Sequence, residues 1–395
     1  VESKPAPAAT TAAPTATTPA PAPSAPVLPP IMPFEQAVDF AARNLFTNAK
    51  LSAADKHLLV IDPLIDGNSG AETTATRVIE SRVTALLQSS YPQYELHPFA
   101  TGTLARGPLL FIGTFTAVDA EGKNAGPREW FRVCLALVDL RTGLIVSKGF
   151  ARAAPDGVDA TPTRFFQDSP AWAPDPSVDG YVRTCQGTKA GDPINPVYWE
   201  RIITAALVND AKNAYEAGRY EEALDLYRGI ARTHTGDQLR VHTGTYLAST
   251  KLGRKDEALR AFGRIVDHGL AQNRLGVKFL FRPGSTLFWA DTALTEPYPM
   301  WLKTIALRSK DSPKCLLVAG HTSRTGPEPL NDKLSMMRAQ YVKQRLEADA
   351  PLLAKRTSAT GKGSRENISG LGTDDARDAV DRRVEFKVAE CGAGV

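Results

Sequence analysis

One ten-residue motif occurs twice in this chain, and it constrains the fold more than any other feature of the sequence. The copies are Gly218–Tyr227, reading GRYEEALDLY, and Gly253–Phe262, reading GRKDEALRAF, with an offset of 35 residues. A period of this length is typical of stacked pairs of antiparallel helices. The glycine of each copy suits the turn between two helices, and the alanine allows them to approach closely. We therefore predict a helical segment over residues 198–272.

The repeated segment resembles the tetratricopeptide family in its period and in the positions of its Gly, Ala and Leu residues. Arrays of fewer than three such units rarely fold alone, so we expect this one to pack against neighbouring domains. Two interpretations remain open. The helices form either a docking groove for an unknown protein partner or a rigid spacer between two domains.

The first 33 residues have the composition of an extended tether. Residues 1–30 contain nine prolines, nine alanines and five threonines. Such a segment lacks the side chains that form a core, and proline favours an extended polyproline helix. The alternative is an unstructured tail without a function. We expect any contact with a membrane to come only through an anchor upstream of Val1.

Residues 34–197 read as an α/β domain. Helical spacing predicts a helix at 33–49, and an apolar run predicts a strand at 57–66. Ser69 and Glu72 have the spacing of a capping box and predict a second helix. Further strands are expected at 94–99, 108–117, 131–140 and 144–150. The Pro-, Asp- and Gly-rich residues 152–195 predict a long ordered loop.

Charge and motif content exclude several classes of function. The chain has 47 basic and 43 acidic residues, mixed along its length, which does not indicate nucleic-acid binding. No apolar run approaches the ~18 residues that cross a bilayer. The glycines at 67–70 are not followed by the lysine of a phosphate-binding loop. No catalytic carboxylate pair, CxxC motif or helical His pair stands out, so we predict no enzyme, metal or cofactor.

The strongest signal for function lies in residues 273–395. Five separated pieces occur in a set order, namely Gly320-His321-Thr322, Asn331, Leu334-Ser335 with Arg338-Ala339, the Gly361-x-Gly363 turn, and Arg382-Arg383-Val384-Glu385-Phe386. This order resembles the OmpA-like peptidoglycan-binding domain. The resemblance implies a βαβα sandwich that binds the peptide stem of the cell wall. The whole chain is then an α+β multidomain protein, with an α/β domain, TPR-like repeats and this sandwich.

The resemblance also implies a set of ligand-binding residues. They are Gly320, His321, Thr322, Ser323, Asn331, Leu334, Arg338, Arg382 and Arg383. The expected ligand is diaminopimelate, whose side chain carries a carboxylate and an ammonium group on one carbon. The planar fork of Arg338 matches a carboxylate, and the helix that opens near Asn331 favours an anion at its start. We expect Thr322 to bond the peptide and Leu334 to lie beneath it.

One position departs from the family pattern in a way that affects charge. The family has Asp where this chain has Ser323, and that Asp pairs with the ligand ammonium. A charge-assisted hydrogen bond contributes ~1.5–3 kcal/mol against ~1 kcal/mol for a neutral one. Asp332 and Glu328 are candidate substitutes. Asp378 and Asp381 are further departures.

The paired arginines near the C-terminus leave two roles open. Arg382 and Arg383 either contact the ligand or form structural ion pairs with Asp374 or Asp375. The domain as a whole leaves the same choice. It either binds the cell wall or keeps only the fold as an assembly surface.

Four cysteines bear on the cellular compartment. Cys134, Cys185, Cys315 and Cys391 allow three disulfide connectivities. Pairing within each block, Cys134 with Cys185 and Cys315 with Cys391, is the simplest, and it predicts an oxidising compartment such as the periplasm. Four reduced, buried thiols are the alternative.

These patterns together predict a non-enzymatic adaptor of the cell envelope. It is expected in the periplasm, with its C-terminal domain on peptidoglycan and its TPR-like and N-terminal domains on protein partners. The alternative is a structural subunit of an envelope secretion or surface assembly whose OmpA-like domain no longer binds cell wall.

Overall fold

The computed structural model describes residues 28–51, 56–124, 128–172, 174–368, 372, 374 and 376–392. Residues 1–27 of the predicted tether therefore lie outside the described residues, as does Asp375. The prediction is wrong for Ile31–Met32, which form a short strand instead of part of a tether. Within the described part, no helix combines the length and the apolar character that a membrane span requires.

An α/β block forms the first part of the structure. Its elements in chain order are β1 (Ile31–Met32), α1 (Phe34–Thr47), β2 (His57–Ile61), β3 (Ile65–Asp66), α2 (Thr74–Ser90), β4 (Tyr94–His97), α3 (Thr101–Leu104), β5 (Leu109–Val118), β6 (Trp130–Asp139), β7 (Leu144–Ala153), α4 (Arg164–Asp168) and α5 (Pro176–Gln186). The strands form one sheet in the order β1-β7-β6-β5-β2-β4, with β3 also beside β5. β5, β6 and β7 run antiparallel, whereas β2 pairs in parallel with β4 and β5.

Both faces of this sheet are covered, which explains the continuous apolar runs in its sequence. All ten residues of β5 are buried. Phe111 and Phe115 face the core formed with α1 and α2, while Leu110 and Ile112 face a second core with α5 and the following helix. A strand buried on both faces reads as an unbroken apolar segment rather than an alternating one.

The capping-box prediction for this block is wrong. The helix α2 is capped by Thr73 and Thr76, which bond each other reciprocally, and not by Ser69 and Glu72. Glu72 is buried and pairs with Lys212 and Arg77.

The predicted loop at 152–195 contains the helices α4 and α5. Asp175 caps the start of α5, and its side chain accepts hydrogen bonds from the Ser177 and Val178 amides. Its buried face carries Val178, Tyr181 and Cys185 at helical spacing. Because this segment contains many Pro, Asp and Gly residues, the short apolar stripe of α5 was not recognised in the sequence.

Four consecutive helices follow, over the segment that contains the repeat. They are α6 (Pro196–Glu216), α7 (Tyr220–Ala231), α8 (Leu239–Lys251) and α9 (Lys255–Ala271). Gly218 and Gly253 lie in the three-residue connections between α6 and α7 and between α8 and α9. Both have positive φ, 78° and 70°, a conformation that glycine adopts without strain. The repeated glycines thus mark equivalent tight turns.

Glycines on α7 and α8 provide a matched test of packing in this region. A Cβ on Gly244 of α8 would lie 2.1 Å from the Tyr227 ring, whereas one on Gly229 of α7 would meet no atom within 4 Å. We expect Gly244→Ala to lower the free energy of unfolding by about 1–3 kcal/mol. Gly229→Ala should raise it by about 0.5–1 kcal/mol, because alanine loses less backbone entropy in a helix. Urea unfolding measures both, and equal stability of the two variants would contradict this packing.

The C-terminal block is a four-stranded sheet with helices on one side. Its elements are β8 (Phe279–Leu280), α10 (Thr292–Thr295), α11 (Tyr298–Asp311), β9 (Lys314–Gly320), α12 (Glu328–Asp349), β10 (Thr357–Gly361) and β11 (Arg383–Glu390), with 3₁₀ turns at Pro351–Lys355 and Ala376–Asp381. The strand order is β10-β9-β11-β8, with β9 and β10 parallel and β11 antiparallel to both β9 and β8. This arrangement agrees with the expected alternation of strands and helices.

The helices of the repeated segment and the C-terminal block share one hydrophobic core. Phe262 of α9 stacks on Trp301 of α11, with ring centroids 5.4 Å apart. The Trp301 indole N–H donates to the Tyr246 hydroxyl of α8 at 2.9 Å. The predicted domain boundary at 272–273 therefore crosses a continuous core rather than a linker.

The four cysteines differ in state. Cys315 and Cys391 form a disulfide that joins the start of β9 to the residue after β11. Cys134 and Cys185 are buried free thiols, with Sγ atoms 2.6 Å apart. Each thiol donates to the carbonyl oxygen of the other residue, at 2.7 and 3.0 Å. The predicted Cys134–Cys185 disulfide is thus not formed in the structure.

Candidate functional site

A pocket of about 280 Å³ lies beside the bend that follows β9. The loop after β9, the start of α12, the loop after β8 and the loop that carries Asp374 form its walls. The lining residues are Gly284, Thr322, Ser323, Thr325, Gly326, Pro327, Leu330, Asn331, Leu334, Arg338, Asp374 and Arg382. Six of the nine predicted site residues are among them.

The bend itself is positioned by backbone contacts. The β9 strand passes so close to α12 that a Cβ on Gly320 would lie 1.9 Å from the Ser335 carbonyl oxygen, so only glycine fits there. The Thr322 amide donates to the Gly363 carbonyl at 2.9 Å, and the Asn367 side chain donates to the Thr322 carbonyl at 2.8 Å. The Thr322 hydroxyl is buried and has no hydrogen-bond partner among the described residues. Thr322 is one of the residues that line the pocket.

Arg338 is fully buried and holds the walls of the pocket together. Its guanidinium donates to the carbonyl oxygens of Arg282, Ser285 and His321 at 2.8–2.9 Å. Burial and the nearby charge of Arg382 lower the pKa of Arg338 to about 10, so it remains charged at neutral pH. The expectation of an open fork at the start of a helix is therefore revised. α12 begins at Glu328, which places Arg338 in its third turn, and three of the five N–H groups are already used.

Asp374 supplies this pocket with a carboxylate, which Ser323 does not have. Ser323 and Thr325 donate their hydroxyls to its two carboxylate oxygens at 2.6 and 2.5 Å, and Arg382 donates at 3.1 Å. Burial opposes ionisation, but these hydrogen bonds and the Arg382 charge outweigh it and hold the pKa of Asp374 below its ordinary value. The side chain is 34% exposed, so an ionised carboxylate faces the pocket.

The two acids weighed as substitutes for Ser323 are engaged elsewhere. Arg365 pairs with Asp332 at 2.7 Å and with Glu328 at 2.9 Å. Neither acid lines the pocket. Both expectations are therefore wrong for the geometry of this chain, and the acid of the pocket comes from a loop more than 40 residues further along the sequence.

Three predicted site residues lie beneath the bend instead of in the pocket. Gly320 serves the close approach of β9 to α12. His321 is fully buried, with Nε2 3.3 Å from a Glu385 carboxylate oxygen, and burial with the charge of Arg383 lowers the pKa of His321 to about 4. Arg383 pairs with Glu385 at 2.8 Å. These residues lie under the bend, and the ion-pair partner of Arg383 is Glu385, which the sequence analysis did not consider.

The two arginines of the pair thus have different positions. Arg382 lines the pocket and pairs with Asp374, while its guanidinium lies 5.1 Å from the Trp289 ring centroid. The ion pair with Asp374 is one of the two roles that the sequence left open, and contact with a ligand stays a prediction. Sequence reasoning missed Thr325 and Leu330 and considered Asp374 only as an ion-pair partner. Asp374 has a left-handed backbone, with φ of 53°. The residue type alone does not predict this conformation, so no local sequence pattern marks Asp374 as a pocket residue.

The C-terminal segment that contains the pocket is matched by a family model. Residues 281–381 match the model of the OmpA family. Outer membrane porin F of Pseudomonas fluorescens is 44% identical over 71 residues, which are 18% of this chain and 21% of the porin. The chain therefore matches only about a fifth of the length of that relative.

Solved structures with a similar part include three from the bacterial cell envelope. The peptidoglycan-associated lipoprotein from Burkholderia pseudomallei is 23% identical, covering 28% of this chain and 89% of its own, with a TM-score of 0.25. The cell wall anchor of the T6SS from Pseudomonas aeruginosa is 25% identical, covering 33% and 96%, with a TM-score of 0.24. A periplasmic domain of MotB from Helicobacter pylori is 18% identical, covering 29% and 68%, with a TM-score of 0.23.

Proposed function

We propose that this chain is a non-enzymatic adaptor of the cell envelope whose C-terminal domain binds the peptide stem of peptidoglycan without a covalent bond. One observation carries the proposal. A single pocket of about 280 Å³ presents the Asp374 carboxylate, two buried guanidinium groups and an unpartnered Thr322 hydroxyl. Diaminopimelate carries an ammonium and a carboxylate on one carbon, and the pocket offers a counter-charge for each.

The proposed contacts follow from the chemistry of the lining. Asp374 receives the ligand ammonium in a charge-assisted hydrogen bond. Arg382 and Arg338 supply the positive potential for the carboxylate, and Arg338 additionally holds the loops that shape the wall. The Thr322 hydroxyl bonds a peptide amide, and Leu330 and Leu334 cover the apolar stem. Asp374, which lies on a loop, thus supplies the negative charge that the family has at the position of Ser323.

The remaining parts of the proposal concern location and partners. The OmpA-family match and the Cys315–Cys391 disulfide support a periplasmic, cell-wall-associated protein. The helices α6–α9 would act as TPR-like repeats that dock a protein partner.

A second function is favoured by one specific observation. Asp374 already accepts hydrogen bonds from Ser323, Thr325 and Arg382, which compete with a ligand ammonium. If those contacts satisfy the carboxylate, the domain keeps its fold as a structural subunit of an envelope secretion or surface assembly and does not bind the wall.

Co-sedimentation with purified sacculi tests these functions against each other. We expect the full chain to pellet with sacculi and to be released by free diaminopimelate. Added salt should also reduce the pelleted fraction, because the charged groups of an open pocket are screened. A pelleted fraction equal to that without sacculi would support the assembly subunit instead.

A further inference from the structure

Three potential metal ligands meet in the helical region, far from the pocket in sequence. They are Asp237, just before α8, His242 on α8 and His268 on α9. One donor atom from each lies within 4.8 Å of the other two. His242 Nε2 is 2.7 Å and His268 Nδ1 is 3.5 Å from the same Asp237 carboxylate oxygen.

A hydrogen bond of ordinary length explains the contact of Asp237 with His242 but not its contact with His268. The His242 contact has hydrogen-bond length, but the 3.5 Å separation to His268 exceeds the ordinary range of 2.7–3.2 Å. The other ring nitrogen of His268 is buried and has no hydrogen-bond partner among the described residues. A cation shared with Asp237 would be bound by Nδ1 of His268, whose contact with Asp237 is longer than an ordinary hydrogen bond.

The cluster is buried on the side of the two histidines and open to solvent on the side of Asp237. The imidazoles are 10% and 7% exposed, whereas the Asp237 side chain is 80% exposed. The carboxylate supplies a negative charge.

We propose that Asp237, His242 and His268 bind a divalent transition-metal ion, with Zn²⁺ as the best match. Two imidazoles, one carboxylate and an open fourth position are a known donor set for zinc, whose bonds to nitrogen and oxygen are ~2.0–2.2 Å long. Small movements of the three side chains bring the donors to that distance. The ion joins α8, α9 and the loop that connects α7 to α8, so it stabilises the helices proposed to dock a partner.

Isothermal titration of the chelator-treated full chain with Zn²⁺ alone tests the proposal. We expect one equivalent to bind with a Kd near or below ~10 µM, in the range of specific protein–ligand affinities. His242→Gln, His268→Gln and Asp237→Asn should each weaken binding by at least ~10-fold, as even the loss of supporting groups does at metal sites. His234→Gln, an exposed residue of the same connecting loop, is the matched control and should bind as wild type.

Two results would overturn the metal site. One is a wild-type chain that takes up no Zn²⁺ at micromolar concentrations. The other is an Asp237→Asn variant with unchanged affinity, and because this side chain is mostly exposed, the variant is expected to fold. Substitution with Co²⁺ gives a second readout, since a tetrahedral site produces visible absorption that His268→Gln should abolish. In either negative case the three residues are only a contact between the two helices and the loop before α8.

Discussion

Replacing Asp374 by asparagine is expected to weaken the binding of a diaminopimelate-containing stem peptide by at least ~10-fold, because one charge-assisted hydrogen bond is lost. Asparagine keeps the size of the side chain and one oxygen, which accepts from either Ser323 or Thr325, while its NH₂ group can donate to the other hydroxyl. The pocket should therefore keep its shape while losing the negative charge that faces the ligand ammonium. Isothermal titration of the purified chain with the soluble peptide measures the change.

Asp332→Asn is the matched control for this variant. It removes the same charge from the same domain, but Asp332 pairs with Arg365 and does not line the pocket. We expect its affinity to stay within about twofold of wild type, since exposed ion pairs contribute little. If Asp374→Asn binds as tightly as Asp332→Asn, then Asp374 only holds Arg382 in place and the proposed ammonium contact is wrong.

Replacing Arg338 by methionine is expected to lower the free energy of unfolding by about 3 kcal/mol or more, because buried carbonyl groups lose their donors. Three such groups, those of Arg282, Ser285 and His321, depend on this side chain. Methionine fills much of the volume without offering a hydrogen bond. Lysine should restore only part of the stability, since a compact ammonium does not reproduce the planar fork. Urea unfolding gives these values.

Arg345→Met on the same helix separates this effect from a general loss of charge. Arg345 is half-buried and makes one long contact with the Tyr341 hydroxyl at 3.4 Å. Its replacement should change stability by no more than about 0.5 kcal/mol. Equal stability of the Arg338 and Arg345 variants would show that other donors or water satisfy the three carbonyls. The Asp374 variant should lose binding with stability intact, whereas the Arg338 variant should lose both.

Local patterns in the sequence determined the elements whose side chains repeat at a regular interval. The helix α1 and the buried strands β5 and β6 follow from apolar spacing over ten or more residues. The paired glycines Gly218 and Gly253 mark turns because only a residue without a side chain takes their backbone conformation freely. Short elements were less readable. The helix α5 carries only a few apolar positions among residues typical of loops.

The ordered pieces of the C-terminal segment likewise determined where the pocket lies, and six of the nine residues implied by them line it. Their individual roles depended on distances between segments far apart in the chain. Asp374 reaches Ser323 across 51 positions, and Arg338 meets carbonyl groups more than 50 positions earlier. The grouping of Asp237, His242 and His268 has the same origin. Residue type and spacing encode local conformation, whereas the packing of distant segments decides which charges meet, and only the tertiary structure contains that information.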